Sequence, residues 1–211
     1  MTASPQPLRI LLVEDHEVVR LGLRGLIEGD AMRVVAEAAN GTEAVALYRE
    51  HQPDLVVMDL HLPLKSGLAA TREICQADPQ ARVLVLSTYE GDEDIRQALE
   101  AGARGYVLKR TSGRQILPAI EAVARGGRWV PEDLARKLAA AQLDPITERE
   151  REVLAYLARG ESNKEIADLL HVTEHTVKAH VKNIMAKYQA RDRTEAVTIA
   201  LQRGAIHLPI A

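Results

Sequence analysis

With 211 residues, 46% hydrophobic and 27% charged, the chain suits one or two ordinary domains and is too apolar for a disordered one. Its single cysteine, Cys75, excludes an intrachain disulfide or a multi-cysteine zinc site and fits a reducing cytoplasm. No cationic leader opens the chain and no apolar run reaches about 18 residues, so neither a signal peptide nor a membrane partner is expected.

The first half alternates strand and helix. Arg9–Val13 is an apolar run read as a strand, followed by Glu14-Asp15 and then Val19, Leu23, Leu26 and Ile27 at helical spacing. Arg33–Ala38 predicts a second strand, Asn40-Gly41 a turn, and Thr42 the cap of a helix through Tyr48. Pro53 precedes a third buried strand up to Asp59, and a loop with Pro63 and Gly67 leads to a helix near Leu68–Gln76. Arg82–Leu86 predicts a fourth strand, Asp92–Ala101 a helix ended by Gly102, Gly105–Leu108 a fifth strand, and Ser112–Arg125 a last helix containing Pro118. Repeated strand–helix units imply a parallel sheet covered on both faces.

Gly126-Gly127 breaks that pattern. Trp129 is expected to pack between domains, and Pro131 to open a linker helix over 132–141. From Leu143 onward every element reads as helix. Thr147-Glu148-Arg149-Glu150 and Ser162-Asn163-Lys164-Glu165 are capping boxes. The first helix buries Val153, Leu154 and Leu157; the second is expected to bury Ile166, Leu169 and Leu170. A turn at His171–Thr173 follows, then a helix over Glu174–Lys187 with Val177, Val181, Ile184 and Tyr188 inward. A last helix spans Arg193–Gln202.

Chemistry-bearing residues gather where the strands end. In parallel sheets, sites lie beyond the carboxyl ends of the strands. Glu14 and Asp15 follow the first strand, Asp59 ends the third, Ser87 and Thr88 end the fourth, and Lys109 follows the fifth. Three carboxylates at one place repel and call for a cation, and hard oxygen donors suit Mg2+. A lysine and a hydroxyl nearby would hold an anion opposite that metal. These are the parts for phosphoryl transfer onto a carboxylate. A nucleotidase P-loop and a Gly-x-Ser-x-Gly elbow are both absent. Phosphatases of the haloacid-dehalogenase type place a second Asp two positions beyond the nucleophile, where this chain has His61. An enzyme acting on small phosphates is therefore not expected.

The third helix of the second half has a different character. Its outer face carries His175, Lys178, Ala179, Lys182 and Ala186, with His180, Asn183 and Lys187 alongside. Lys178 and Lys182 are expected to lack acidic partners four residues away. Residues 173–193 hold five basic and two acidic side chains, a balance of +3. Residues 1–125 hold 14 basic and 18 acidic, a balance of −4. Two helices joined by a tight turn, with long donors outward, is helix-turn-helix geometry.

The Glu14-Asp15 pair, Asp59-Leu60-His61-Leu62-Pro63 with Gly67, Leu86-Ser87 and Gly105–Lys109 together resemble the receiver domain of two-component response regulators. Residues 147–154, 160–167 and 176–184 resemble the LuxR-type DNA-binding domain, so the whole chain is similar to the NarL/FixJ family. The resemblance implies a flavodoxin-like α/β receiver domain (1–125), a doubly wound five-stranded parallel sheet. A linker with a short helix (126–143) and an all-α four-helix helix-turn-helix domain (144–211) then follow. It implies that Asp59 accepts a phosphoryl group from a sensor histidine kinase and that Glu14, Asp15, Asp59 and the His61 carbonyl place Mg2+. Lys109 would bind phosphoryl oxygens while Ser87 and Tyr106 switch. His61 and Tyr89, flanking the attacking water, would slow self-dephosphorylation. Lys178, Ala179 and Lys182 would reach base edges of double-stranded DNA, and Ser162, Asn163, Lys164, Thr173, Thr176, His180 and Lys187 its phosphates. The last helix would serve a homodimer formed on phosphorylation, and RNA polymerase is a further expected partner. A phosphorylation-switched protein–protein module without DNA binding is the alternative, and a steep salt dependence of duplex binding separates the two.

Overall fold

The computed structural model describes residues 6–88, 91–110, 113–133, 135–136 and 146–207, with residues 113 and 114 through their backbone only. Tyr89, Ser112, Leu143 and most of the expected linker helix lie outside the described residues. The chain divides into two compact units, Met1–Tyr89 with Ile95–Ala135 and Glu90–Asp94 with Arg136–Ala211.

In the first unit β1 (Leu8–Val13), β2 (Met32–Ala38), β3 (Leu55–Asp59), β4 (Val83–Ser87) and β5 (Gly105–Leu108) form one parallel sheet in the order β2-β1-β3-β4-β5. The three central strands are apolar runs because both faces are covered: Ile10, Leu11, Leu12, Val56, Val83 and Val85 are all fully buried. The helices are α1 (Glu17–Ile27), α2 (Gly41–His51), α3 (Gly67–Ala77), α4 (Asp92–Glu100) and α5 (Gly113–Ala124). Ile116, Ala119, Ile120 and Val123 of α5 close one face of the sheet against Leu12, Val57 and Leu86.

Two expectations change here. The cap of α2 is Asn40, not Thr42: its Oδ1 accepts from the Thr42 and Glu43 amides at 3.0 and 2.9 Å. The helix therefore starts at Gly41, whose N–H donates to the Lys65 carbonyl at 3.0 Å, an approach too close for a side chain at that position. Trp129 packs against the first unit's own core, and its backbone extends the sheet edge. The Tyr106 N–H donates to the Trp129 carbonyl at 2.8 Å. After Pro131, residues 132–133 and 135–136 are helical, and the Ala135 N–H donates to the Pro131 carbonyl at 2.8 Å.

The second unit contains, among the described residues, α6 (Glu148–Ala158), α7 (Asn163–Leu170), α8 (Glu174–Tyr188) and α9 (Arg193–Gln202). Both capping boxes form, at Thr147/Glu150 and Ser162/Glu165, and each satisfies two amides at its helix start. Val153, Leu154, Ile166, Val177, Ile184 and Ala200 are the fully buried centre. Leu169 departs from expectation and is half exposed. On the eight-residue α7 the buried arc is set by Ile166, Ala167 and Leu170, and Leu169 falls beyond its margin.

Candidate functional site

The strand order reverses between β1 and β3, which leaves a crevice beyond their carboxyl ends. β1 delivers Glu14 there, and β3 delivers Asp59; both are buried. β5 runs directly into Lys109, whose N–H donates to the Ser87 carbonyl at 2.8 Å. That bond aims the Lys109 side chain between the acids: Nζ stands 2.6 Å from Glu14 Oε2 and 2.8 Å from Asp59 Oδ2. Asp15 is half-buried beside them, Ser87 and Tyr106 are fully buried, and the His61 N–H approaches Asp59 Oδ1 at 3.5 Å.

Burial pushes the Asp59 carboxyl above the ordinary carboxylate range, and Glu14 adds to that; Lys109 pulls the other way. Burial also works to lower the Lys109 ammonium, but its bonds to Asp59 and Glu14 outweigh it and hold the group above its ordinary value. One ammonium therefore serves two buried carboxylates, with Asp15 next in the chain after Glu14. The donor set that remains is hard oxygen, from Glu14, Asp15, Asp59 and the His61 carbonyl, and it fits a small divalent cation such as Mg2+.

The loop between β3 and α3 is built to close tolerances. A Cβ on Gly67 would lie 1.7 Å from the Asp59 carbonyl oxygen, so only glycine lets α3 start there. The Lys65 N–H donates to the Pro63 carbonyl at 2.8 Å around Leu64, which sits at φ +65° with its side chain 91% exposed. Two participants escaped the sequence reading. Arg20, from α1, donates from Nη1 to the Glu14 carbonyl at 2.7 Å and from Nε to Glu37 Oε2 at 3.1 Å, tying the end of β1 to β2. His16 lies against both Glu14 and Asp15. Only the return of α1 over β1 brings Arg20 back to that carbonyl. For His16 the adjacency to Glu14-Asp15 was an available signal.

In the second unit α8 presents His175, Lys178, Ala179, Lys182 and Ala186 to solvent, with His180 half-buried. The absence of acidic partners does not hold for Lys178: its Nζ is 2.8 Å from Glu174 Oε1, one turn earlier. Glu174 opens α8, where a carboxylate is favoured by the helix dipole, and the i,i+4 spacing places the lysine over it. Thr173 caps α8 by accepting from the Thr176 N–H at 3.1 Å, and Ser162 caps α7 by accepting from the Glu165 N–H at 3.3 Å. Lys164 is exposed and Asn163 half-buried at the start of α7. Lys187 differs from an outward phosphate donor. Its Nζ is 2.7 Å from Oε2 of buried Glu150, which also accepts from the Thr147 N–H at 2.8 Å. Burial works to raise the Glu150 carboxyl, but the bonds from Lys187 and Thr147 prevail and hold it below its ordinary value.

Among the described residues no helix is long and apolar enough to cross a membrane. The family profile of the response regulator receiver domain matches residues 10–121, and that of bacterial regulatory proteins of the luxR family matches 144–200. The response regulator protein VraR of Staphylococcus aureus is 40% identical over 206 residues, covering 94% of this chain and 99% of that protein. The crystal structure of a LuxR-family two-component response regulator from Aurantimonas sp. SI85-9A1 is 46% identical, covers 64% of this chain and 97% of its own, and superposes with a TM-score of 0.61. The response regulator ChrA of a heme-sensing two-component system is 35% identical over 95% of this chain and 99% of its own, with a TM-score of 0.56.

Proposed function

The chain belongs to the luxR-type response regulators, transcription factors switched by phosphorylation of a receiver domain, and from that membership we propose that Asp59 is its phosphoryl acceptor. The observation that carries this is the single ammonium of Lys109 lying 2.6 and 2.8 Å from two buried strand-end carboxylates. Asp59 ends β3, its carboxylate reachable from the crevice, and a sensor histidine kinase supplies the phosphoryl group. Glu14, Asp15, Asp59 and the His61 carbonyl would hold Mg2+, whose chemistry is to neutralise charge on the transferring phosphoryl oxygens. Lys109, already beside Asp59, pairs with those oxygens afterwards, and Ser87 and Tyr106 respond to the added charge of about −1.5 to −2.

The output is proposed to be double-stranded DNA in the cytoplasm, read by Lys178, Ala179 and Lys182 at base edges. Ser162, Asn163, Lys164, Thr173, Thr176 and His180 are proposed to position phosphates, partly through the exposed amides at the starts of α7 and α8. Lys187 is assigned instead to holding Glu150. Residues 1–125 are taken as receiver, 126–143 as linker and 144–211 as DNA-binding domain. One helix-turn-helix reads one half-site, so pairing two chains on phosphorylation, with α9 as the pairing element, multiplies affinity and could present the dimer to RNA polymerase.

The test is mass spectrometry after acetyl phosphate and Mg2+, followed by gel-shift titration. The parent is expected to gain one phosphoryl mass and to bind its operator more tightly, and Asp59→Asn to do neither. Modification that persists in Asp59→Asn would falsify the acceptor assignment.

A further inference from the structure

The acid pair has an outer face that phosphoryl transfer leaves unused. Glu14 divides its carboxylate: Oε2 turns inward to Lys109, while Oε1 lies 3.3 Å from Nδ1 of His16. The same Nδ1 is 2.9 Å from Asp15 Oδ1. His16 occupies the N-cap of α1 in an extended conformation and makes no side-chain bond to the helix amides. Its ring is 67% exposed, open to an incoming ion.

These separations have a meaning in coordination chemistry. Two ligands about 2.0–2.2 Å from one ion and at right angles to each other stand roughly 3 Å apart. The 2.9 and 3.3 Å separations, which here are hydrogen bonds to the ring nitrogen, are also of the size of octahedral edges. Glu14, Asp15 and His16 each offer one ligand atom, all within 4.8 Å of one another. An imidazole nitrogen adds little for Mg2+, which prefers oxygen, but it favours Zn2+, Co2+ and Ni2+.

We propose that His16 is a nitrogen ligand of the divalent-cation site, so that the Glu14-Asp15 pair binds borderline transition-metal ions as well as Mg2+. The inference rests on the reading of these carboxylates as the Mg2+ site and extends it to metal choice. An ion held by Glu14 Oε1, Asp15 and His16 engages carboxylates that Mg2+ needs, so the two cations compete.

Direct binding on the full chain tests this, with Co2+ as the probe and Mg2+ as the competitor. Co2+ is expected to bind, to be displaced by Mg2+, and to be lost in Asp15→Asn. In its Co2+ form the parent should show a paramagnetically shifted imidazole N–H proton that disappears in His16→Ala. That variant should lose roughly tenfold or more in Co2+ affinity relative to its Mg2+ affinity. If Mg2+ does not displace Co2+ or Asp15→Asn binds both ions normally, the carboxylates are not the metal site and the underlying reading falls. If displacement and the Asp15 effect hold but His16→Ala keeps the shifted proton, or the ratio of Co2+ to Mg2+ affinity does not change, the role of His16 is overturned.

Discussion

In the first unit the side chains of Glu14, Asp59 and Lys109 are 1%, 5% and 13% exposed; on α8 of the second, Lys178 is 60% exposed. The two regions use charge differently. A buried pocket is only weakly screened, so a phosphoryl group added to Asp59 changes local energies far more than the same charge in water. Exposed lysines act mainly by releasing counterions from DNA, which makes binding tunable by salt. The second unit also contains a buried ion pair, Glu150 with Lys187, and there Thr147 supplies further bonds to the carboxylate. In the receiver, Glu14 and Asp59 share Lys109, while Asp15 lies against the His16 ring. The Glu150–Lys187 pair is structural, whereas the strand-end cluster gathers more carboxylates than ammonium groups, as a cation site requires.

The sharpest way to break this contrast is at Gly67. Gly67→Ala drives a methyl into the Asp59 carbonyl and is expected to cost more than about 4 kcal/mol, the range reserved for severe core defects. Calorimetry should show the first unit's transition lost or strongly lowered. An unchanged transition would mean that the loop carrying Asp59 is not under that constraint.

Lys187→Ala comes next. It leaves Glu150 buried without its cation, a defect of about 3–5 kcal/mol, whereas Lys178→Ala and Lys182→Ala should stay within about 0.5 kcal/mol of the parent in stability. On operator DNA the order reverses: each of the latter two should cost about 1–3 kcal/mol if it reads a base. Equal stability of all three variants in urea would erase the distinction between inner and outer lysines.

Acid titration compares the units by sign. Asp59 is raised, so its contribution is fully present below the unfolded carboxyl value and is lost as pH rises through the folded one. Glu150 is lowered, so its contribution is present above the unfolded value and is lost as pH falls through the folded one. Above about pH 4 Asp59→Asn should therefore remove the first unit's gain on acidification, and below about pH 4.5 Glu150→Gln should flatten the second unit's loss. Unfolding midpoints followed from pH 3 to 7 check both. If either variant leaves the slope of its unit unchanged, that carboxylate does not drive it.

The smallest effect is expected at Leu64. Its side chain packs against little and its backbone is left-handed, so Leu64→Gly should stabilise the first unit by up to about 1 kcal/mol through relief of that conformation. A loss of stability would show that the exposed leucine makes contacts that matter.

Much of this architecture is local and therefore legible in the sequence. Gly105–Leu108 and Arg193–Gln202 fall within the expected bounds, because turn glycines and an N-capping Asp192 mark them from inside the segment. Both capping boxes are legible for the same reason: donor and acceptor lie three residues apart. The strand-end acids could be found because a parallel sheet sends every strand's carboxyl end to one edge. Tertiary structure decided the rest. The inward turn of Lys187 depended on Glu150, 37 residues away. Leu169 shows the limit of periodicity, since an eight-residue helix has too few turns to define its own buried face. Side-chain partners across tens of residues are chosen by where folding brings unsatisfied groups together, and no spacing rule within a segment carries that information.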